Sequence, residues 1–195
     1  AHGGIVGKSI ITNAKVHSHK EFVANYDLKD FFPSVHPVKI ERALRKHSDF
    51  SLETRRWLVR LVTYENQLPQ GAPTSPFFAN LVAYVMDMRI KKLCRNGACS
   101  YTRYFDDITI SGGDIVKDIH SKKIVESIVA KEGFLINPKK TKLAHKTEQQ
   151  YVTGIIVNDG LSLDEKFLEQ TRAQIDLWEC FLLDKEKEVV AGKIA

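Results

Sequence analysis

Two aspartates stand side by side in Tyr101-Thr-Arg-Tyr-Phe-Asp-Asp-Ile-Thr-Ile-Ser111, between flanks rich in aromatic and β-branched residues. Such flanks favour strands, so the stretch reads as a hairpin with strand 100–105, a turn at Asp106-Asp107 and strand 108–111. Aspartate is a good turn former, and a solvated turn is the ordinary reading of such a pair. Two features weigh against it. The flanks are unusually apolar for a surface hairpin, and another acid, Asp27, closes a separate segment, Phe22-Val-Ala-Asn-Tyr-Asp27, that alternates as a strand does. If these strands lie side by side, three carboxylates converge at one sheet edge. Like charges raise one another's pKa, and a divalent cation relieves the conflict. Mg²⁺ prefers oxygen ligands and usually takes a few carboxylates plus substrate phosphates. Two such ions about 3.5–4 Å apart activate an attacking hydroxyl and stabilise a leaving pyrophosphate, which is the chemistry of nucleotide polymerisation.

The elements that must position these acids follow from periodicity. Residues 38–47 read as a helix after a turn bracketed by Pro33 and Pro37, and Ser51 with Thr54 opens a second amphipathic stretch carrying Trp57, Leu58, Leu61 and Val62. After the loop Asn66-Gln-Leu-Pro-Gln-Gly-Ala-Pro-Thr74 comes the longest helix. Thr74 or Ser75 can cap it, Pro76 suits its first turn, and Phe78, Leu81, Val82, Val85 and Met88 mark one face. Gly112-Gly113 ends the hairpin. Ile124, Val125, Ile128 and Val129 form a helix stripe stopped by Gly133, and 134–136, 142–144 and 151–157 are short strand candidates. Asp164 caps a last helix along which Leu168, Thr171, Ile175, Trp178 and Leu182 recur. The expected class is α+β, an antiparallel sheet backed by helices.

Three ordered motifs carry a resemblance. Asp27-Leu-Lys-Asp-Phe-Phe, Gln70-Gly-Ala-Pro-Thr-Ser-Pro and Tyr104-Phe-Asp-Asp resemble the motif set of reverse transcriptases. Asn13-Ala-Lys-Val-His17 is similar to the Asn-Ala-x-x-His element, and Val152-Thr-Gly154 to the Val-Thr-Gly triplet, of bacterial retron reverse transcriptases. The resemblance implies a polymerase palm. Residues 1–25 are then the end of the fingers and the entry to the palm, 26–160 the palm with a helical insertion at 38–65, and 161–195 the helical start of a thumb or C-terminal region.

The same resemblance implies roles. Asp27 and Asp106 are ligands shared by two Mg²⁺ ions, Asp107 is a closer or outer ligand of one, and the Leu28 carbonyl contributes. Asp30, three residues on, reads instead as a solvated turn or cap acid. Phe32 aligns with the steric gate that leaves no room for a 2′-OH, and Phe31 is core, since neighbours on an extended chain face opposite ways. The opposing reading puts both rings in the core. Gln70 and Gly71 flank the nascent base pair, with glycine allowing close backbone approach. Within Asn137-Pro-Lys-Lys-Thr141, Lys140, or failing it Lys139, protonates departing pyrophosphate. A solvated basic turn is the competing interpretation. Val152, Thr153 and Gly154 lie where cognate RNA is recognised, and Lys139, Lys140, Lys142 and Lys146 offer salt-sensitive phosphate contacts. Neither Asn13 nor His17 acquires a role.

Composition excludes little but agrees. A net charge of +5 suits a polyanionic partner without requiring one. Three cysteines without a CxxC pair argue against a zinc site or disulfide framework and for a reducing cytoplasm, which the resemblance implies is bacterial. No run is apolar enough to span a membrane. Gly3-Gly-Ile-Val-Gly-Lys-Ser9 fails as a P-loop, because the required first glycine falls on His2 and no strand precedes it. The implied partners are a structured noncoding RNA template-primer, deoxynucleoside triphosphates, the single-stranded DNA product and a defence effector protein, in antiphage defence. A group II intron or other defence-associated reverse transcriptase, and a non-catalytic nucleic-acid-binding palm scaffold, are the alternatives. The chain starts late in the fingers and holds only one thumb helix, so the fragment alone is expected to polymerise poorly.

Overall fold

The structure, a computed structural model, describes residues 1–190 of 195, with side chains as far as Trp178. Leu182, the last member of the expected C-terminal stripe, and Cys180 lie outside the described side chains. Two compact units are present, residues 1–161 and 162–195.

The first unit runs α1 (Ile10–Lys15), β1 (Phe22–Asp27), α2 (Pro37–His47), α3 (Leu52–Val62), α4 (Ser75–Asn96), β2 (Ser100–Tyr104), β3 (Asp107–Gly112), α5 (Ile115–Ser121), α6 (Ile124–Lys131), β4 (Lys142–His145), β5 (Tyr151–Val152) and β6 (Ile155–Ile156). The second contains α7 (Glu165–Val190), where the Asp164 carboxylate accepts from the Lys166 amide at 2.9 Å, as a cap should.

Strands β2-β3-β1-β4 form one antiparallel sheet in that order. Alternation gives it two unlike faces. Ala24, Tyr26, Ile108 and Ile110 turn toward α4, α5 and α6 and join the main apolar core. On the opposite face Asn25 pairs with Thr109, and Thr109 with Thr102, a polar layer that ends in Asp27 and Asp107. The expected α+β arrangement of a sheet backed by helices is therefore present, with apolar residues on the helix side and oxygen-bearing ones on the other.

Local departures have local causes. The buried stripe of α4 is Ala79, Ala83, Met86, Ile90 and Cys94 together with Phe78, whereas Met88, expected on the inner face, is 48% exposed. Small alanines let the helix approach the sheet closely, which a count of large residues misses. Neither Thr74 nor Ser75 caps α4 with its side chain; the Ser75 hydroxyl donates to the Pro69 carbonyl at 2.7 Å. Helix α1, not foreseen among β-branched residues, is started by a capping box between Ser9 and Thr12. Short α5 was also not foreseen. The expected strand at 134–136 is reduced to a single bridge from Ile136 to Leu28. The expected strand at 151–157 folds back on itself, because Thr153 and Gly154 both adopt positive φ, 48° and 82°.

Candidate active site

The hairpin turns one residue earlier than its sequence suggests. Tyr104 pairs with Asp107, so the two turn residues are Phe105 and Asp106, and Asp107 is the first residue of β3. Phe105 has φ of +53°, a region that bulky residues rarely occupy. Asp107 is also the register partner of Asp27, the last residue of β1. Beyond that pair, the Leu28 amide donates to the Asp106 carbonyl at 2.9 Å, and the Asn137 amide donates to the Asp27 carbonyl at 2.8 Å. Three stretches of chain thus meet at one sheet end: 27–28, 105–107 and 135–137.

Asp27, Asp106, Asp107 and Lys140 line one open cleft of about 480 Å³, with Asn25, Tyr26, Lys139 and Lys142 around them. Asp27 is 8% exposed and its Oδ2 holds the Lys140 ammonium at 3.1 Å. Burial, then repulsion from Asp106 and Asp27, pushes the Asp107 carboxyl up to about 6 although the residue keeps solvent access. Asp106 is raised chiefly by burial, with Asp27 adding to it and Lys140 opposing. Hydrogen bonding to Asp27 raises the Lys140 ammonium in turn.

Among the described residues no three acidic, histidine or cysteine side chains already stand in metal-ligating geometry. The donor set nevertheless fits a hard divalent ion. It consists of Asp106 and Asp107, whose ionisation is resisted by burial and by neighbouring acids, beside Asp27, which holds the Lys140 ammonium.

The other sequence-derived residues are dispersed around this cleft. Phe31 is buried in the core, while Phe32 is half-buried with its ring 5.8 Å from that of Phe105. Their unlike environments do not come from an extended chain, since residues 29–34 form a turn in which Asp30, exposed as expected, has φ of +47°. Leu28 is buried. Gln70 and Gly71 sit on an exposed loop, Gly71 at φ +89°, and do not line the carboxylate cleft.

Val152 is fully buried in a second small cluster with Ala14 and Val23, leaving Thr153 and Gly154 as the turn of the β5–β6 hairpin. The Asn-Ala-x-x-His element packs against that hairpin. Asn13 Nδ2 lies 3.5 Å from Thr153 Oγ1, and the buried Asn13 Oδ1 has no partner. His17, also buried, bonds Ser111 and Thr102 hydroxyls, each at 2.7 Å, and burial pushes it down to about 3, so it is neutral. It pins α1 to the polar face of the sheet. Sequence reading also missed Arg103 and Asp87, a buried ion pair of 2.7 Å behind the turn. An arginine inside an otherwise apolar strand pattern was the available signal.

A palm sheet with three carboxylates at one end belongs to the nucleic acid polymerases. Residues 3–157 match the family profile "Reverse transcriptase (RNA-dependent DNA polymerase)", and the chain belongs to that family. The curated relatives it resembles are retron reverse transcriptases. It is 35% identical over 170 residues to the retron Ec86 reverse transcriptase of Escherichia coli, covering 86% of this chain and 52% of the relative. To the retron Mx162 reverse transcriptase of Myxococcus xanthus it is 36% identical over 186 residues, covering 81% and 38%. The chain thus spans about half the length of such relatives or less. Among solved structures it resembles telomerase from Candida albicans in complex with the TWJ fragment of telomeric RNA, with TM-score 0.56 and 14% identity over 76% of this chain and 32% of that one. Apo telomerase from Candida tropicalis, truncated from its C-terminal domain, gives TM-score 0.58 and 12% identity over 80% and 38%. These likenesses establish the fold. Among the described residues no helix is long and apolar enough to cross a membrane.

Proposed function

We propose that this chain is the palm-centred part of a bacterial, cytoplasmic retron-type RNA-directed DNA polymerase that copies a structured noncoding RNA into single-stranded DNA from deoxynucleoside triphosphates. The observation that carries this reading is the pairing of Asp27 with Asp107 beside Asp106 in one cleft. Nothing in the folding of a sheet calls for three acids at one end, since their mutual repulsion costs stability.

In this reading Asp27, Asp106 and Asp107, with the Leu28 carbonyl, hold two Mg²⁺ ions. When bound, Mg²⁺ supplies positive charge for the triphosphate and makes the primer hydroxyl easier to ionise. Lys140, paired with Asp27 in this structure, would donate its proton to departing pyrophosphate, with Lys139 in the same cleft as its nearest substitute. Phe32, half-buried with its ring tilted against that of Phe105, lies under the incoming sugar and excludes a 2′-OH. Gln70 and Gly71 flank the nascent base pair. Thr153 and Gly154 present the hairpin turn to the template-primer RNA, with buried Val152 as its anchor. Residues 161–195 are the start of a thumb or of a C-terminal region. Service in antiphage defence with an effector protein is carried over from the resemblance alone.

The test is primer extension by the full-length protein carrying Asp106→Asn and Asp107→Asn together. Mg²⁺-dependent extension is expected to vanish while RNA binding is largely kept. Extension at the wild-type rate overturns the site. Sequencing the nucleic acid that co-purifies with the protein tests the retron reading, which expects a branched RNA–DNA species.

A further inference from the structure

Phe105 is a bulky residue held at φ +53° immediately before Asp106. Such a conformation persists only where its surroundings over-determine it, so the question is what holds the turn. The β2–β3 ladder stops at Tyr104 and Asp107, and the Leu28 amide holds the turn only at the Asp106 carbonyl, beyond the Phe105–Asp106 peptide.

The brace comes from behind the sheet. Arg103 lies on the helix-covered face and is fully buried. Its Nε and Nη2 donate to the two Asp87 carboxylate oxygens at 2.7 and 2.8 Å, and Nη2 also donates to Asn80 Oδ1 at 3.1 Å. Tyr101 donates to Asp87 Oδ1 at 2.6 Å, which fixes the carboxylate in turn. The guanidinium is planar and rigid, so anchoring two of its nitrogens to α4 determines where the third points. That nitrogen, Nη1, donates to the Phe105 carbonyl at 2.9 Å. The Phe105 carbonyl and the Asp106 amide share one planar peptide group, and this bond therefore sets the plane from which Asp106 departs.

The N-terminal glycines pack against the turn as well, tied to it through Asn80. Asn80 Nδ2 donates to the Gly3 carbonyl at 2.9 Å, and the His2 amide donates to the Arg103 carbonyl at 2.6 Å. A Cβ at Gly3 would come within 2.5 Å of the Phe105 amide nitrogen, and one at Gly4 within 3.2 Å of its ring. The glycine run that fails as a P-loop thus packs against the residue preceding Asp106.

We infer that Arg103 is a positioning residue for the metal site: anchored by Asp87, it holds the Phe105-Asp106 peptide so that the Asp106 carboxylate stands beside Asp27 and Asp107. The inference rests on the proposed reading of those carboxylates as metal ligands. A buried guanidinium needs acceptors for all its N–H groups whatever its role; what ties this one to the site is that the acceptor of Nη1 is the carbonyl of the peptide leading into Asp106.

Two variants separate the roles. Arg103→Lys keeps the charge but not the fork. Arg103→Met with Asp87→Leu replaces the pair by apolar side chains, a swap that buried ion pairs often tolerate. Mn²⁺ affinity of the chain is read by electron paramagnetic resonance, folding by thermal melting, and the Mg²⁺ requirement by primer extension with the full-length protein. In variants that melt like the wild type, Mn²⁺ binding is expected to weaken about tenfold or more, with a matching rise in the Mg²⁺ needed for half-maximal extension. A folded variant with wild-type Mn²⁺ affinity overturns the inference, and so does failure of both variants to fold, which would make Arg103 a determinant of the fold only. Asp106→Asn is the control. If it too binds Mn²⁺ as the wild type does, the metal-site reading itself fails and takes the role of Arg103 with it.

Discussion

Asp27 and Asp107 are register partners at the end of β1 and β3, so the pleat puts both carboxylates on one face of the sheet. The next pair inward, Tyr26 and Ile108, points into the core. A shift of one residue in that register would bury the acids and expose the core, which is why the apolar alternation of the two strands also fixes the site.

The crowding of the acids should be measurable without metal. Asp107 titrates near 6 rather than 3.8, so the folded chain binds more protons than the unfolded one between those values. The sign follows: stability falls as pH rises through this window, and above it the ionised carboxylate is a standing cost. Solvent access limits that cost to no more than about 1 kcal/mol. Asp107→Asn is therefore expected to raise the melting temperature by about 2–4 °C at pH 8 without divalent metal, an advantage that disappears near pH 4. Thermal melts across pH check it.

His17 should act in the opposite sense. It is buried and neutral, pushed from 6.5 to about 3, so the unfolded chain binds its proton first. Its contribution is complete above pH 6.5 and is lost as pH falls toward 3, with a slope approaching 1.4 kcal/mol per pH unit. His17→Ala removes two buried hydrogen bonds and leaves a cavity, at an expected cost of about 2–4 kcal/mol at pH 7. The gap between variant and wild type should narrow at pH 4.5, measured by urea denaturation.

Much of this site was legible in the sequence because its signals are local. Asp27 ends an alternating strand, and the Asp106-Asp107 pair sits between strand formers, so their convergence needed only that the strands be neighbours. The position of the turn was not legible. Placing Phe105 rather than Asp107 in it requires a bulky residue at positive φ, which local preference disfavours and which Arg103, Asp87 and Gly3 impose from elsewhere in the chain. The Asn13–His17 element was opaque for a similar reason. Its partners Thr102, Ser111 and Thr153 are remote in sequence, and only the folded sheet brings them together.

Lys140 is 64% exposed at its side chain and holds Asp27 in an ion pair. Lys140→Met should leave the melting temperature within about 2 °C of wild type, because the ammonium end of the pair is largely solvated. Primer extension by the full-length protein is expected to slow by about 10²–10⁴, as loss of a general acid does. A slower rate with an unaltered pH profile would instead make Lys140 a phosphate contact.

Phe32 stands half-buried beside Phe105, whereas Phe31 is core. Phe32→Val should open space under the sugar and raise ribonucleotide incorporation relative to deoxynucleotide by at least about tenfold, an amount within reach of a single pocket contact. Phe31→Val should instead lower the melting temperature. Competitive incorporation assays and melts on the two variants distinguish them.

The most direct measurement is affinity cleavage with Fe²⁺ in place of Mg²⁺, in which radicals formed at the bound ion cut nearby backbone. Cuts are expected around residue 27 and around residues 106–107 in the same chain, both suppressed by excess Mg²⁺ and both lost in Asp27→Asn. Cuts at only one of these stretches, or cuts indifferent to Mg²⁺, would contradict a metal site shared between the two strands.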